Sequence, residues 1–251
     1  MAEYVKLKYY FDTKLAKLLA EKIVAVDPNF QSKAFVKKVA SSVDDLELKG
    51  RVDVIATALR EFLPQKYSEA VNILMQILGP ENTGETGMFK KGYWLMPVAF
   101  FVEKYGTDDF DTSIAAIREI TKRNTGEYAV RPFLEKYPKK MLGVMLKWSK
   151  DKNVHVRRLA SEGMRPRLPW AKKLDQFIKD PKPIFPILEN LKKDTSLFVK
   201  KSVANNLNDI LKDNYDIGMH VINKWRTSKN ENTQWIIKHA LRNQTKKRKS
   251  V

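Results

Sequence analysis

The stretch Asp194–Leu207, DTSLFVKKSVANNL, has two relatives in the same half of the chain. They are DKNVHVRRLASEGM, which starts at Asp151, and NENTQWIIKHALRN, which starts at Asn230. Each copy opens with Asp or Asn, residues that commonly start a helix, and TGEYAVRPFL from Thr125 is a shorter relative. The starts lie 43 and 36 residues apart, near the ~40–47 residues of a HEAT repeat. This period predicts stacked helix pairs that build a solenoid.

The sequence predicts which face of each of these helices is buried. Each copy places an apolar residue five positions after its start: Val156, Val199 and Trp235. Helical spacing predicts one buried stripe of Val156, Leu159, Ala160, Gly163 and Met164, and another of Val199, Val203, Leu207 and Ile210. The second stripe has a polar flank of Ser202, Asn205, Asp209 and Lys212. VANNLND also contains three asparagines, poor helix formers, which indicates that something other than helix propensity selects them.

Helical periodicity extends along most of the chain, and no stretch alternates as a strand would. It predicts helices near 12–25, 31–40, 51–62, 67–78, 93–104, 109–122, 126–136, 138–149, 154–164, 184–192, 196–213, 217–226 and 231–242. The predicted fold is therefore all-α, an α-α superhelix of HEAT-like repeats whose concave face suits a long ligand. We expect a single domain over 1–243, followed by a basic tail at 244–251.

Composition narrows the class of partner. Lys and Arg number 47 against 29 Asp and Glu, which gives a formal charge of +18. This charge favours nucleic acid as the partner first and an anionic membrane surface second. We therefore expect the concave face of the superhelix to be a basic DNA-binding face. The chain has no cysteine, which excludes disulfides and thiolate-bound metals. Its three histidines lack paired spacing, so we expect no metal site. Neither a signal peptide nor a membrane-length apolar run is evident, and we expect a soluble intracellular protein without a membrane partner.

Three segments closely resemble the AlkC branch of the AlkC/AlkD DNA glycosylases, bacterial HEAT-like-repeat proteins of DNA alkylation repair. They are RRLASEGMRPRLPWA (157–171), DPKPIFPILENLKKDTSLFVKKSVANNLNDILKD (180–213) and TGEYAVRPFL (125–134). The resemblance is strong over about 120–215. It implies hydrolysis of the N-glycosidic bond of cationic bases such as 3-methyladenine, without a conventional base-flipping pocket. It also implies a monomer that needs no cofactor, acts on double-stranded DNA with alkylated bases, and lies in the cytoplasm with the nucleoid.

The resemblance assigns roles to residues that match the family's motifs. It implies catalysis by Glu127, Asp209 and Trp170, and contacts with DNA by Tyr128, Arg158, Arg165 and Arg167. A carboxylate stabilises the cation that forms on the deoxyribose, and an aromatic ring adds a cation–π contact. The planar fork of arginine suits phosphate oxygens. Without a signal for a Schiff-base lysine, the predicted enzyme is monofunctional.

Other residues have ordinary structural interpretations. Glu162, four residues after Arg158, is predicted to be its ion-pair partner on a helix. Four tryptophans lie within apolar periodicity and are predicted to be core: Trp94, Trp148, Trp225 and Trp235.

Two other functions remain open at this point. A non-catalytic HEAT-repeat DNA-binding protein would share the charge and the arginines, but it has no need of two carboxylates near an aromatic ring. A protein-binding scaffold is the commonest use of such repeats, and a charge of +18 counts against it. Salt-dependent binding to duplex DNA separates the scaffold from the other two, and release of a base separates the enzyme from the binder.

Overall fold

The computed structural model describes residues 5–86 and 92–243, and within these ranges every regular element is a helix. The all-α prediction is confirmed. The chain divides into two compact units: unit 1 contains the chain up to Asn82 and from Gly87 to Ala129, and unit 2 contains Thr83–Thr86 and the chain from Val130 onward. A single domain over 1–243 stays a prediction, and the predicted basic tail at 244–251 lies outside the described residues.

The described part of unit 1 contains six α-helices: α1 (Thr13–Val24), α2 (Ser32–Ala40), α3 (Leu48–Phe62), α4 (Tyr67–Gln76), α5 (Met96–Tyr105) and α6 (Phe110–Thr121). Two short 3-10 helices, Leu7–Tyr10 and Tyr93–Leu95, complete it. Helix α1 packs on α2, α3 on α5, and α4 on α6. The side chain of Asp12 caps the start of α1 and that of Asp109 the start of α6, which satisfies backbone N–H groups that have no partner within the helix.

Up to residue 243, unit 2 contains eight α-helices: α7 (Arg131–Lys136), α8 (Pro138–Trp148), α9 (Val154–Glu162), α10 (Asp175–Lys179), α11 (Phe185–Leu191), α12 (Leu197–Asp213), α13 (Tyr215–Arg226) and α14 (Glu231–Ala240). A short 3-10 helix, Lys182–Ile184, precedes α11. Helix α12 packs between α9 and α14. Helix α8 pairs with α9, α11 pairs with α12, and α13 pairs with α14. The predicted stacking of helix pairs is therefore present in unit 2.

The three repeat copies begin at N-capping side chains. Asn153, Ser196 and Asn230 accept hydrogen bonds from the first backbone N–H groups of α9, α12 and α14. These caps lie 43 and 34 residues apart. In the third copy the residue equivalent to Val156 and Val199 is therefore Thr233, which is fully buried, and not Trp235. The sequence alignment placed that copy two residues off because Asp151 and Asp194 precede their caps, whereas Asn230 is itself a cap.

All thirteen predicted helices exist, with shifted ends. The helix predicted over 126–136 begins only at Arg131, and α10 and the 3-10 helices were not predicted. Every residue of the two predicted stripes is buried. Of the four tryptophans predicted to be core, Trp148 and Trp225 are buried, whereas Trp94 and Trp235 are only partly so.

Two asparagines of α12 make hydrogen bonds that account for their presence inside a helix. The amide of Asn206 donates to the carbonyl of Ser161 at 2.8 Å, and that of Asn208 donates to the carbonyl of Ala240 at 2.7 Å. These carbonyls lie in the last turns of α9 and α14, where the helix supplies no N–H partner. Each asparagine therefore ties α12 to a neighbouring repeat helix, which offsets its poor helix propensity.

Gly163, at the end of α9, packs closely against the chain that precedes α7. A Cβ atom there would lie 2.5 Å from Cγ2 of Val130, which is fully buried. We therefore expect Gly163→Ala to lower the free energy of unfolding by about 1–3 kcal/mol through overpacking. The matched control is Gly143→Ala on the exposed side of α8, where a Cβ meets nothing within 4 Å.

Alanine at Gly143 is expected to raise stability by about 0.5–1 kcal/mol, since glycine is a poor helix former. Urea unfolding followed by circular dichroism measures both variants. Equal stability of the two alanine variants would contradict the packing described for Gly163.

Candidate active site

A buried arginine joins two carboxylates from different helices of unit 2. Arg165 lies just beyond the end of α9 and donates from one terminal nitrogen to Oε1 of Glu162 at 2.8 Å. Its Nε donates to Oδ2 of Asp209, on α12, at 2.9 Å. Glu162, Arg165 and Asp209 are 4%, 9% and 1% exposed. Packing of α9 against α12 thus brings together charges 44 residues apart in sequence.

Two more cations extend this arrangement at its ends. Arg158 pairs with Oε1 of Glu162 at 3.3 Å, and Nζ of Lys212 pairs with Oδ1 of Asp209 at 3.0 Å. We call the alternating series Arg158, Glu162, Arg165, Asp209 and Lys212 the charge row. The row holds three cations and two carboxylates, so each buried negative charge has two positive neighbours. Lys212 differs from the other members because its side chain is 47% exposed.

The charge row shifts the titration of its buried members. Burial by itself raises the pKa of Glu162, but the charges of Arg158 and Arg165 outweigh it and hold the pKa below its ordinary value of 4.5. Burial likewise lowers the pKa of Arg165, and Glu162 and Asp209 together raise it above its ordinary value. Glu162 is therefore ionised at neutral pH, beside the positively charged Arg165.

The segment after Arg165 carries the other two residues that the resemblance singled out. Arg167 makes a two-point pair with Asp213, with Nε at 2.7 Å from Oδ2, and it lowers the pKa of Asp213 by hydrogen bonding. Trp170 is 70% exposed and has φ +62°, which makes it the one non-glycine residue with positive φ in the described parts of the chain. A large side chain is rare in this conformation. Trp170 therefore presents its ring to solvent at the cost of backbone strain.

Another buried arginine fixes the backbone that leads to Trp170. Arg131, at the start of α7, donates to the carbonyls of Gly163 at 3.1 Å, Arg165 at 3.0 Å and Lys172 at 2.5 Å. These three carbonyls lie before and after Trp170 in sequence, so one side chain holds both ends of the segment. The exposed tryptophan is consequently carried by an ordered loop.

Glu127 and Tyr128 belong to unit 1, in the turn that follows α6. Oγ1 of Thr125 donates to Oε2 of Glu127 at 2.9 Å and accepts from the Glu127 backbone N–H at 3.3 Å. Both Glu127 and Tyr128 are partly buried. This local turn orients the Glu127 carboxylate and leaves part of it open to solvent.

The structure brings together Arg158, Arg165 and Asp209, three residues that sequence predicted. The Arg158–Glu162 ion pair is confirmed, but sequence reasoning missed that Glu162 is buried and shared with Arg165. The spacing of three residues between Glu162 and Arg165 was the available signal. Sequence reasoning also missed the pairing of Lys212 with Asp209, although it placed both residues on the same polar flank of α12. The catalytic and DNA-binding roles of the seven site residues stay predictions.

Comparison with known proteins identifies the family of this chain. The sequence pattern described as DNA alkylation repair enzyme matches residues 103–243. A Bacillus subtilis (strain 168) protein named "Uncharacterized protein YhaZ" is 40% identical over 242 residues, which cover 96% of this chain and 65% of that protein. The chain therefore belongs to the DNA alkylation repair enzyme family.

A solved structure refines the comparison. The chain superposes with a TM-score of 0.87 on the Pseudomonas fluorescens alkylpurine DNA glycosylase AlkC bound to DNA containing an abasic site analog, at 36% identity. The match covers 96% of this chain and 65% of AlkC, so the chain spans about two thirds of the length of both proteins. The HEAT-like helical fold expected from the sequence is confirmed. None of the helices in the described ranges has the length and apolarity required to cross a membrane.

The charge row predicts acid-sensitive stability. Because the pKa of Glu162 is below 4.5 in the fold, its ionised form stabilises the protein above that pH, and the contribution is lost as pH falls through the folded pKa. Glu162→Gln is expected to cost about 3 kcal/mol at pH 7, and its difference from wild type is expected to shrink below pH 4.5. Urea unfolding between pH 7 and pH 3.5 measures this difference.

The control is Glu135→Gln, which removes an exposed glutamate paired with Lys172. Its effect is expected to stay within about 0.5 kcal/mol at every pH. A Glu162→Gln difference that does not change with pH would contradict the described electrostatics.

Proposed function

We propose that this chain is a monofunctional DNA glycosylase that hydrolyses the N-glycosidic bond of cationic N-alkylated purines, of the 3-methyladenine type, in double-stranded DNA. The observation that carries the proposal is the similarity to the alkylpurine DNA glycosylase AlkC along 96% of the chain. Membership of the DNA alkylation repair enzyme family supports it. We further propose that the protein acts as a cytoplasmic monomer on nucleoid DNA and needs no metal or organic cofactor.

The chemistry requires negative charge more than it requires an acid. A base such as 3-methyladenine already carries a positive charge and leaves as a neutral molecule. The positive charge then develops on the deoxyribose, where a fixed carboxylate stabilises it and orients the attacking water. Glu127, held by Thr125, and Asp209, held by Arg165, are the carboxylates to which we assign this role.

Trp170 fits a lesion-contacting role better than a packing role. Its ring is 70% exposed, whereas a core tryptophan would be covered. An exposed aromatic face attracts a cationic base or sugar through a cation–π interaction. Tyr128 is proposed to add a second aromatic surface for the DNA.

Arg158, Arg165 and Arg167 are proposed to hold phosphates beside the lesion. Each is paired with a carboxylate in the unbound chain, so a phosphate must compete with Glu162, Asp209 or Asp213. Arg158 is also placed over the ring of Phe198, 4.8 Å from its centroid, which orients the guanidinium. Of the three, Arg167 has the most exposed side chain, at 32%, and Arg165 the least, at 10%.

One observation favours a second candidate, a non-catalytic DNA-binding protein. Both carboxylates of the charge row are buried and paired with cations, which is also how a purely structural ion network is built. That protein would bind duplex DNA with the same salt dependence and release no base. A protein scaffold is disfavoured by the charge of +18.

Release of free base from methylating-agent-treated duplex DNA tests the function. Wild type is expected to release 3-methyladenine and to leave an abasic site in an uncut strand, because no lyase step is proposed. Glu127→Gln and Asp209→Asn are each expected to lower the rate by about 10²-fold without weakening DNA binding. Tight binding by wild type with no released base would move the conclusion to the non-catalytic binder.

A phosphate contact by Arg158 can be tested through the salt dependence of DNA binding. Arg158→Ala is expected to weaken binding to damaged and undamaged duplex alike and to reduce the salt slope by about one unit. The control is Arg226→Ala, which removes the same charge from the exposed side of α13. Fluorescence anisotropy at several salt concentrations gives both slopes, and an unchanged slope for Arg158→Ala would exclude a phosphate contact there.

A further inference from the structure

Asp209 has two counter-ions of unequal kinds. Oδ2 is held by Arg165, whose side chain is 10% exposed and is also bonded to Glu162. Oδ1 is held by Lys212, whose side chain is 47% exposed. Asp209 itself is 1% exposed. The carboxylate is therefore anchored on one side and closed on the other by a side chain with access to solvent.

Only one of these partners can exchange at low cost. Withdrawal of Arg165 would leave two buried carboxylates, Glu162 and Asp209, short of a positive neighbour. Lys212 lies three residues after Asp209 on the same helix, and such pairs between a helix residue and an exposed lysine are weak and screened by salt. The flexible stem of lysine lets its ammonium reach a new partner without backbone movement.

A nearby polyanion gives Lys212 such a partner. Its ammonium already acts on a second carboxylate, since Arg167, Lys173 and Lys212 together lower the pKa of Asp213. Lys212 therefore lies in the same charged neighbourhood as Arg167, which we assign to a phosphate. A phosphate held there meets an exposed ammonium whose present partner is a single carboxylate oxygen.

We propose that Lys212 is an exchangeable counter-ion: it pairs with Oδ1 of Asp209 in the free protein and moves to a DNA phosphate in the complex. The inference rests on the function proposed above. The exchange leaves Asp209 fixed by Arg165 and frees Oδ1 to face the cation that forms on the sugar. In the absence of DNA, Lys212 is the counter-ion of Oδ1. Lys212 is thus a positioning residue, and its charge is required only where DNA binds.

Binding to a duplex with an abasic-site analogue tests the exchange without any need for catalysis. Lys212→Met is expected to reduce the salt slope by about one unit, and Lys212→Arg is expected to restore it. The control is Lys193→Met, which removes an exposed lysine of the same unit that has no role in the charge row. A slope unchanged by Lys212→Met, or changed equally by both methionine variants, would overturn the phosphate contact.

A double-mutant cycle tests the competition for Lys212. In the free protein Asp209 holds Lys212, so Asp209→Asn is expected to tighten binding of the same duplex by roughly twofold, the scale of an exposed helix ion pair. In the Lys212→Met background the same change is expected to have a smaller effect, because only the release of Arg165, the other partner of Asp209, remains. Equal tightening with and without Lys212 would mean that Asp209 does not compete with DNA for Lys212, and the exchange would be wrong.

The kinetics of base release complete the test. If Lys212 has left Asp209 in the complex, Lys212→Met is expected to raise the KM for base release by a larger factor than it lowers kcat, because the lost phosphate contact weakens binding. A larger effect on kcat than on KM would show that Lys212 still acts on Asp209 during the reaction and would overturn the exchange. Absence of base release by wild type would instead refute the proposed function, and the binding experiments would still be readable.

Discussion

The charged centre of unit 2 depends on Arg165. A buried carboxylate is tolerated only when a positive charge and hydrogen bonds replace the water it has lost. Arg165 supplies both to Glu162 on α9 and Asp209 on α12, so these two helices have one relative placement in which both acids are satisfied. The same residue begins the segment that leads to Trp170, and its own carbonyl is held by Arg131. The strained, exposed tryptophan is therefore supported by the arginine that fixes the acids.

This constraint gives the protein a centre that is electrostatically prepared before any ligand arrives. Its carboxylates are oriented by ion pairs and removed from bulk water, the conditions under which a fixed charge stabilises a transition state most. Cations surround them, and a polyanion such as DNA competes for those cations. Under the proposed function, the net charge of +18 attracts DNA to the molecule as a whole, and in the charge row that attraction meets fixed negative charge. Under the proposed function, this arrangement would recognise a lesion through its charge.

Sequence alone predicted the parts that local spacing controls. The helices, the buried stripe through Val156 and Leu159, and the Arg158–Glu162 pair all follow from steps of three and four residues. The contacts that define the site join residues far apart in sequence. Arg165 meets Asp209, and Asn206 meets Ser161, only because α9 and α12 pack together, and periodicity within each helix carries no information on which polar residues face each other. The positive φ of Trp170 was hidden for a similar reason, since the loop that imposes it is held by the distant Arg131.

The proposed selection of lesions by their charge can be tested with a cationic and a neutral base in the same DNA. Two duplexes of the same sequence would carry either 3-methyladenine, a cation, or hypoxanthine, a neutral purine, at one position. The rate of base release by the protein would be measured for each and divided by the spontaneous rate. Stabilisation by fixed carboxylates predicts that the enhancement is larger for the cationic base by at least about 10²-fold. Equal enhancement for the two bases would contradict selection by charge and would point to recognition by shape.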